Sequence, residues 1–137
     1  MPELPEVETI VRQLNRKVLN KEISKVAVYD STVVDPRLNK MAPATITQVW
    51  RRAKYIVMEL DNSSAILTHL GMTGHFHYVD EKSILNDHER YIVSKFLFSD
   101  GSFLTHNSIR KFGKMKLVTK KQLEKIALKH KPFMITI

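Results

Sequence analysis

Apolar residues open the chain at helical spacing. Val7, Ile10, Val11, Leu14 and Val18 fall on one stripe across residues 5 to 19, while Arg12, Gln13, Arg16 and Lys17 fill the opposite face. This pattern predicts an amphipathic first helix. The texture then changes to short β-rich runs around residues 22 to 29, 45 to 50, 55 to 60, 65 to 68, 75 to 79, 91 to 98, 102 to 105 and 114 to 118. Asp61-Asn62-Ser63-Ser64 and Asp100-Gly101 punctuate them with residues that tolerate the positive φ of tight turns, so adjacent strands are expected to be antiparallel. Thr119, with Gln122 three residues on, matches a capping box, and Leu123, Ile126 and Ala127 supply an apolar face up to about His130. Residues 131 to 137 carry Pro132 and end in an apolar run that reads as interrupted. The predicted fold class is α+β, mainly β: a two-layered antiparallel β-sandwich or flattened barrel flanked by an N-terminal and a C-terminal helix.

Composition narrows this further. A chain of 137 residues with 43% hydrophobic positions supports one core rather than two. No apolar run reaches the roughly 20 residues of a membrane span, and the first residues mix acids with apolar positions, unlike a signal peptide. A soluble, cytoplasmic protein is expected. Cysteine is absent, which excludes disulfides and thiolate metal sites. His75 and His77 alternate on one strand face, but no third ligand accompanies them, so neither a metal nor another cofactor is expected. Twenty-two Lys and Arg against 14 acids give a net charge of +8, the footprint of a polyanion binder. For Lys120, Lys121, Lys125, Lys129 and Lys131 a solvated basic surface is the plainer reading.

The amino terminus reads Met1-Pro2-Glu3-Leu4-Pro5-Glu6-Val7-Glu8. Removal of Met1, usual before a small residue, makes the Pro2 ring nitrogen a free secondary amine and so a nucleophile. Its attack on C1′ of a deoxyribose forms an iminium, an electron sink that acidifies the C2′ hydrogens and permits elimination of the 3′ phosphate. Glu3 and Glu6, three positions apart at a helix start, are near enough to move protons for that sequence. The same residues also suit structure alone, since Pro belongs in a first helical turn and acids there complement the macrodipole.

The opening Pro2-Glu3-Leu4-Pro5-Glu6-Val7-Glu8-Thr9 resembles the signature start of formamidopyrimidine-DNA glycosylases. Three further blocks follow in that family's order: Arg51-Arg52-Ala53-Lys54-Tyr55, His69-Leu70-Gly71-Met72-Thr73-Gly74 and Arg110-Lys111-Phe112-Gly113. The resemblance covers essentially all of residues 1 to 137 as the family's N-terminal catalytic domain, and fits the related endonuclease VIII branch less well. It implies base-excision repair of oxidised purines by a bifunctional glycosylase and abasic-site lyase, acting as a monomer on damaged double-stranded DNA and associated with the nucleoid.

Residue by residue, the resemblance implies that Pro2 is the Schiff-base nucleophile, Glu3 the proton shuttle and Glu6 a supporting hydrogen-bond group. Lys54 would meet the phosphate or the damaged nucleotide from a β-hairpin, which suits a compact ammonium. Met72 resembles the residue that fills the void left by an extruded lesion, with Arg110 and Phe112 beside it; apolar wedges and a guanidinium can restack and hydrogen-bond an orphaned base. Core packing remains an equal reading for Phe112, and a buried hydrogen-bonding role is favoured for His69.

Three departures stand out. Ser108 and Ile109 precede the Arg110 block where the family carries an Asp and a small or apolar residue. Tyr91 and Val93 occupy positions where two alternating histidines are usual, leaving Tyr91 and Arg90 as substitutes for DNA-backbone contact. Complete members also continue into a helix-two-turn-helix domain and usually a cysteine zinc finger, which this sequence lacks. A non-catalytic DNA-binding module and an inactive fragment of such an enzyme are therefore the competing readings.

Overall fold

Helix α1 (Leu4–Lys17) forms on the predicted stripe, with Val7, Val11 and Leu14 buried and Val18 closing the row. Arg16 and Lys17 sit in its last turn, where cations complement the dipole. Asn20, at φ 67°, then turns the chain into the left-handed region and donates its backbone N–H to the Ile46 carbonyl. Asn15 fixes the helix laterally: its Nδ2 donates to the Val11 and Val49 carbonyls, both at 3.0 Å. The computed structural model describes residues 4–71, 74–80, 91–108 and 113–129.

The strands are β1 (Glu22–Val28), β2 (Ala44–Arg52), β3 (Tyr55–Leu60), β4 (Ser64–His69), β5 (His75–Val79), β6 (Ile92–Phe98), β7 (Phe103–Asn107) and β8 (Lys114–Thr119), and α2 (Lys120–Lys129) follows them. They hydrogen-bond in the order β5-β7-β6-β1-β2-β3-β4-β8, every pair antiparallel. The β1–β2 pairing is short, joining only Glu22 to Thr45 and Ile23 to Ala44. It acts as a corner between two four-stranded layers. Their inner faces meet in one buried cluster, where Val26, Phe96 and Leu104 of one layer join Ile56, Ile66 and Met115 of the other. Ser94 Oγ lies 3.7 Å from Met115 Sδ across that interface. The expected two-layered sandwich is thus present, with its layers continuous through the corner.

Strands β3 and β4 are buried over almost their whole length because they are covered twice. The core lies on one face, and on the other Leu123 of α2 packs with Val57, Ala65 and Leu67. Burying such a side chain is worth about 1.5–3 kcal/mol, so the Leu123 contact and the cap together anchor the start of α2. The capping box forms as predicted: Gln122 N donates to Thr119 Oγ1 at 3.0 Å and Thr119 N donates to Gln122 Oε1 at 2.9 Å.

Residues 29 to 43 carry no period, and the structure gives them a role that sequence pattern did not predict. A 3-10 turn, Pro36–Lys40, buries Leu38 completely and is capped by Asp35. The Asp35 carboxylate accepts from the Arg37 side chain, from Arg37 N and from Leu117 N, which tie the turn to β8. The Arg37 hydrogen bonds hold its pKa down at about 2.

Candidate functional site

The amino-terminal end of α1 carries Glu6, exposed in the first turn, and Glu8, half-buried just beyond it. Arg51 reaches across from β2 and donates from Nε to Glu8 Oε1 at 2.7 Å, while Arg12 approaches Glu8 Oε2 at 3.7 Å. Arg51 also donates to the Ala53 carbonyl at 3.3 Å, inside the β2–β3 turn. Ala53 has φ 51°, the left-handed conformation the tight turn requires, and Lys54 follows it at the hairpin tip. One arginine therefore couples the amino-terminal end of α1 to the hairpin that presents Lys54. Glu6 and Lys54 are brought onto elements joined in this way; Pro2 and Glu3 lie outside the described residues.

Beyond the hairpin, β3 and β4 place Tyr55 opposite His69, their rings edge to face with centroids 5.1 Å apart. His69 Nδ1 accepts from Gly71 N at 3.1 Å, which sets the tautomer with its proton on Nε2. Partial burial, and then the charge of Lys54, lower the His69 pKa. A neutral imidazole beside an ammonium, with its donor nitrogen free of the Gly71 contact, is the arrangement seen here. The hydrogen-bonded reading of His69 fits this geometry.

Gly71 adopts φ 71° and Leu70 is buried, and Gly74 N donates to the Leu70 carbonyl at 3.0 Å. Gly113 lies against the same backbone. A Cβ there would come within 2.3 Å of the His69 oxygen and 2.8 Å of the Leu70 carbonyl carbon; at Gly74 it would come within 2.3 Å of the Leu70 oxygen. Both separations are far inside van der Waals contact, so both positions demand glycine. The flanks of segments 72–73 and 109–112 are consequently packed backbone to backbone. Met72, Arg110 and Phe112 fall on those segments, outside the described residues. The sequence blocks contained both glycines, yet their mutual approach is a long-range property that spacing does not reveal.

Tyr91 stands just before β6 rather than within it, at φ 63° and half exposed. A non-glycine aromatic residue in the left-handed region is uncommon. Its carbonyl accepts from Ser108 N at 2.9 Å, tying the start of β6 to the residue that leads into 109–112. Val93 is buried in the core, so it cannot face a ligand. Arg90 lies outside the described residues. Ser108 is itself buried beside Asn107, whose Oδ1 accepts from Thr105 Oγ1 at 2.7 Å.

His75 and His77 do alternate on β5, but among the described residues no group of three His, Cys, Asp or Glu could hold a metal ion. Their strand pairs with β7, which buries His106 completely, 5.4 Å from the Phe76 ring. Among the described residues neither His106 nitrogen has a hydrogen-bond partner. Burial, with a smaller contribution from His75, lowers its pKa to about 4. No described helix is long and apolar enough to cross a membrane.

Residues 1–115 match the sequence model of the formamidopyrimidine-DNA glycosylase N-terminal domain. The formamidopyrimidine-DNA glycosylase of Ligilactobacillus salivarius is 38% identical over 122 residues, 86% of this chain and 43% of that protein. Its namesake from Wolbachia pipientis subsp. Culex pipiens is 38% identical over 126 residues, 89% of this chain and 45% of its own length. Among solved structures, Lactococcus lactis formamidopyrimidine-DNA glycosylase bound non-covalently to DNA containing an AP site superposes with a TM-score of 0.81 at 27% identity. That alignment covers 93% of this chain and 49% of the other. The chain spans a little under half the length of the curated relatives it matches.

Proposed function

The chain belongs to the formamidopyrimidine-DNA glycosylase family through that family's N-terminal domain, and on this premise we propose that it acts in base-excision repair, removing oxidised purines from double-stranded DNA. In this reading residues 1 to 137 form the catalytic half of a bifunctional glycosylase and abasic-site lyase that uses no cofactor. It works as a monomer in the cytoplasm, at the nucleoid.

The Pro2 nitrogen, freed by loss of Met1, donates its lone pair to C1′ of the lesion's deoxyribose as the C1′–base bond breaks and the base departs with the proton the amine gives up. The C1′–O4′ bond then opens, O4′ taking a proton from Glu3, and the nitrogen lone pair forms the iminium. The resulting iminium draws electron density from C2′, a proton leaves C2′, and the 3′ phosphate departs as the C2′–C3′ double bond forms. Glu3 carries protons to and from the sugar, with Glu6 holding the local hydrogen-bond arrangement. Lys54 fixes the DNA backbone by phosphate contact, and Tyr91 and Arg90 replace the family's histidines beside it. Met72, Arg110 and Phe112 fill the stack that the extruded nucleotide vacates.

The observation that carries this reading is the Arg51–Glu8 hydrogen bond at 2.7 Å, because it joins the helix that follows the nucleophile to the hairpin that holds Lys54. A phosphate contact and an amine nucleophile need a fixed separation to act on one nucleotide. The test is borohydride trapping on abasic-site DNA, with intact mass of the amino terminus and peptide mapping of the adduct. An adduct on Pro2 in chains lacking Met1 is the expected result. An adduct mapped to a lysine, or trapping undiminished with Met1 retained, would overturn the assignment. If no adduct forms but duplex DNA is bound, the chain is the non-catalytic binding module instead.

A further inference from the structure

A cleft of about 810 Å³ opens between α2 and the outer face of β2, β3 and β8. Its floor is aliphatic, built by Val57, Leu67, Val118 and Leu123, with Trp50 and Tyr55 also lining it. Its rim carries Lys114, Lys116 and Lys125, with Arg52 buried at its edge, and no Asp or Glu lines it among the described residues. Arg37 also borders it, but Asp35 neutralises that guanidinium at 2.7 Å. Lys114 donates to the Thr32 carbonyl, whereas Lys116 and Lys125 are exposed and have no acidic partner among the described residues. An apolar trough flanked by the exposed ammonium groups of Lys116 and Lys125 is an incomplete surface.

We propose that this cleft is a docking site for a short acidic segment of a partner protein, anchored by apolar side chains. The volume lies within the roughly 300–1,000 Å³ of sites that enclose a ligand's side groups, which suits apolar anchors. The rim then meets carboxylates on either side of those anchors, and opposite charge both steers the encounter and fixes its register. Nucleic acid fits the same charge but not the same floor. Single strands bind by stacking bases on open aromatic faces. Here the Trp50 indole is held by its Nε1 donating to Glu59 Oε2 at 2.6 Å and is half-buried against the Val57 cluster, which leaves Tyr55, at the edge of the cleft and edge to face with His69, as its one exposed aromatic ring among the described residues. The aliphatic floor offers bases nothing to stack on.

Fluorescence anisotropy on the whole chain separates the outcomes. The probe is a labelled peptide of about twelve residues in which Asp and Glu flank one Leu and one Phe, compared with the same peptide carrying Ala at both anchors and with a thymidine oligonucleotide of similar charge. Binding of the first peptide is expected to weaken roughly tenfold or more with the alanine peptide, and likewise in a Lys116→Glu/Lys125→Glu protein whose thermal melt is unchanged. Three results would overturn the proposal: no saturable binding of the first peptide, equal binding of the alanine peptide, or displacement of the first peptide by the oligonucleotide at equal concentration. Trapping on Pro2 is read separately and is independent of each.

Discussion

Arg51 Nε donates to Glu8 Oε1 at 2.7 Å, a contact that spans 43 positions of sequence and joins β2 to α1. Both side chains are partly exposed, at 26% and 39%, so the pair stabilises the fold only by about 0.2–1 kcal/mol. Its larger effect is positional, because Arg51 also reaches the Ala53 carbonyl at the turn before Lys54.

Arg51→Ala is therefore expected to lower the rate of covalent trapping by about tenfold while moving the melting temperature by only a few degrees. The Glu8→Gln variant should fall between, since a neutral acceptor keeps the hydrogen bond and loses the charge. Single-turnover trapping at saturating DNA checks this: the loss should sit in the rate and not in the DNA affinity. A loss confined to affinity would make Arg51 a DNA contact instead.

Much of the architecture was legible because it is local. The apolar stripe of α1, the eight β-rich runs and the Thr119–Gln122 cap depend on periods and short spacings, and each is found where the pattern put it. What escaped depends on distant parts of the chain. Leu38 is buried by a turn whose sequence has no period, and Asp35 gains its role only because β8 passes beside it. The left-handed Tyr91 and the approach of Gly113 to His69 have the same character. Of the candidate site, Glu6, Lys54 and Tyr91 fall among the described residues; the spacing to Glu3 at a helix start marked Glu6, whereas only the resemblance marked Lys54 and Tyr91.

Gly113→Ala should destabilise the chain by about 1–3 kcal/mol, because the new Cβ meets backbone oxygen and carbon that cannot swing aside. The strain falls where two segment flanks meet, so activity should suffer more than stability. Excision from duplex DNA is expected to drop well beyond cleavage of a preformed abasic site, since the segments bearing Met72 and Phe112 matter while a base is held out of the stack. Equal losses on both substrates, tracking the melt, would reduce Gly113 to a packing residue.

Acid should weaken the fold through His106. Its folded pKa of about 4 lies below the ordinary 6.5, so the unfolded chain takes the proton first. Stability is then complete above about pH 6.5 and is lost as pH falls towards 4, by about 3 kcal/mol over that window at 1.36 kcal/mol per unit. The Asp35 contribution is lost lower, between its ordinary 3.8 and about 2, so the two separate. Urea melts at pH 7.5, 5.5 and 4.5 should slope in the wild type and flatten in His106→Phe, which keeps a ring beside Phe76. An unchanged slope in that variant would assign the loss to another group.

Lys54→Ala carries two readouts that test one geometry. As a phosphate contact, Lys54 releases about one counterion, so its removal should weaken DNA binding uniformly across sequences and reduce the salt slope by about one. Its charge also helps to hold down the His69 pKa, after burial. Removing it should therefore raise the His69 pKa in the free protein without restoring the ordinary value, because burial persists. Titration of the His69 ring protons by NMR reads this directly. A raised His69 pKa with an unchanged salt slope would keep Lys54 next to His69 but turn it away from the phosphate, towards the damaged nucleotide itself.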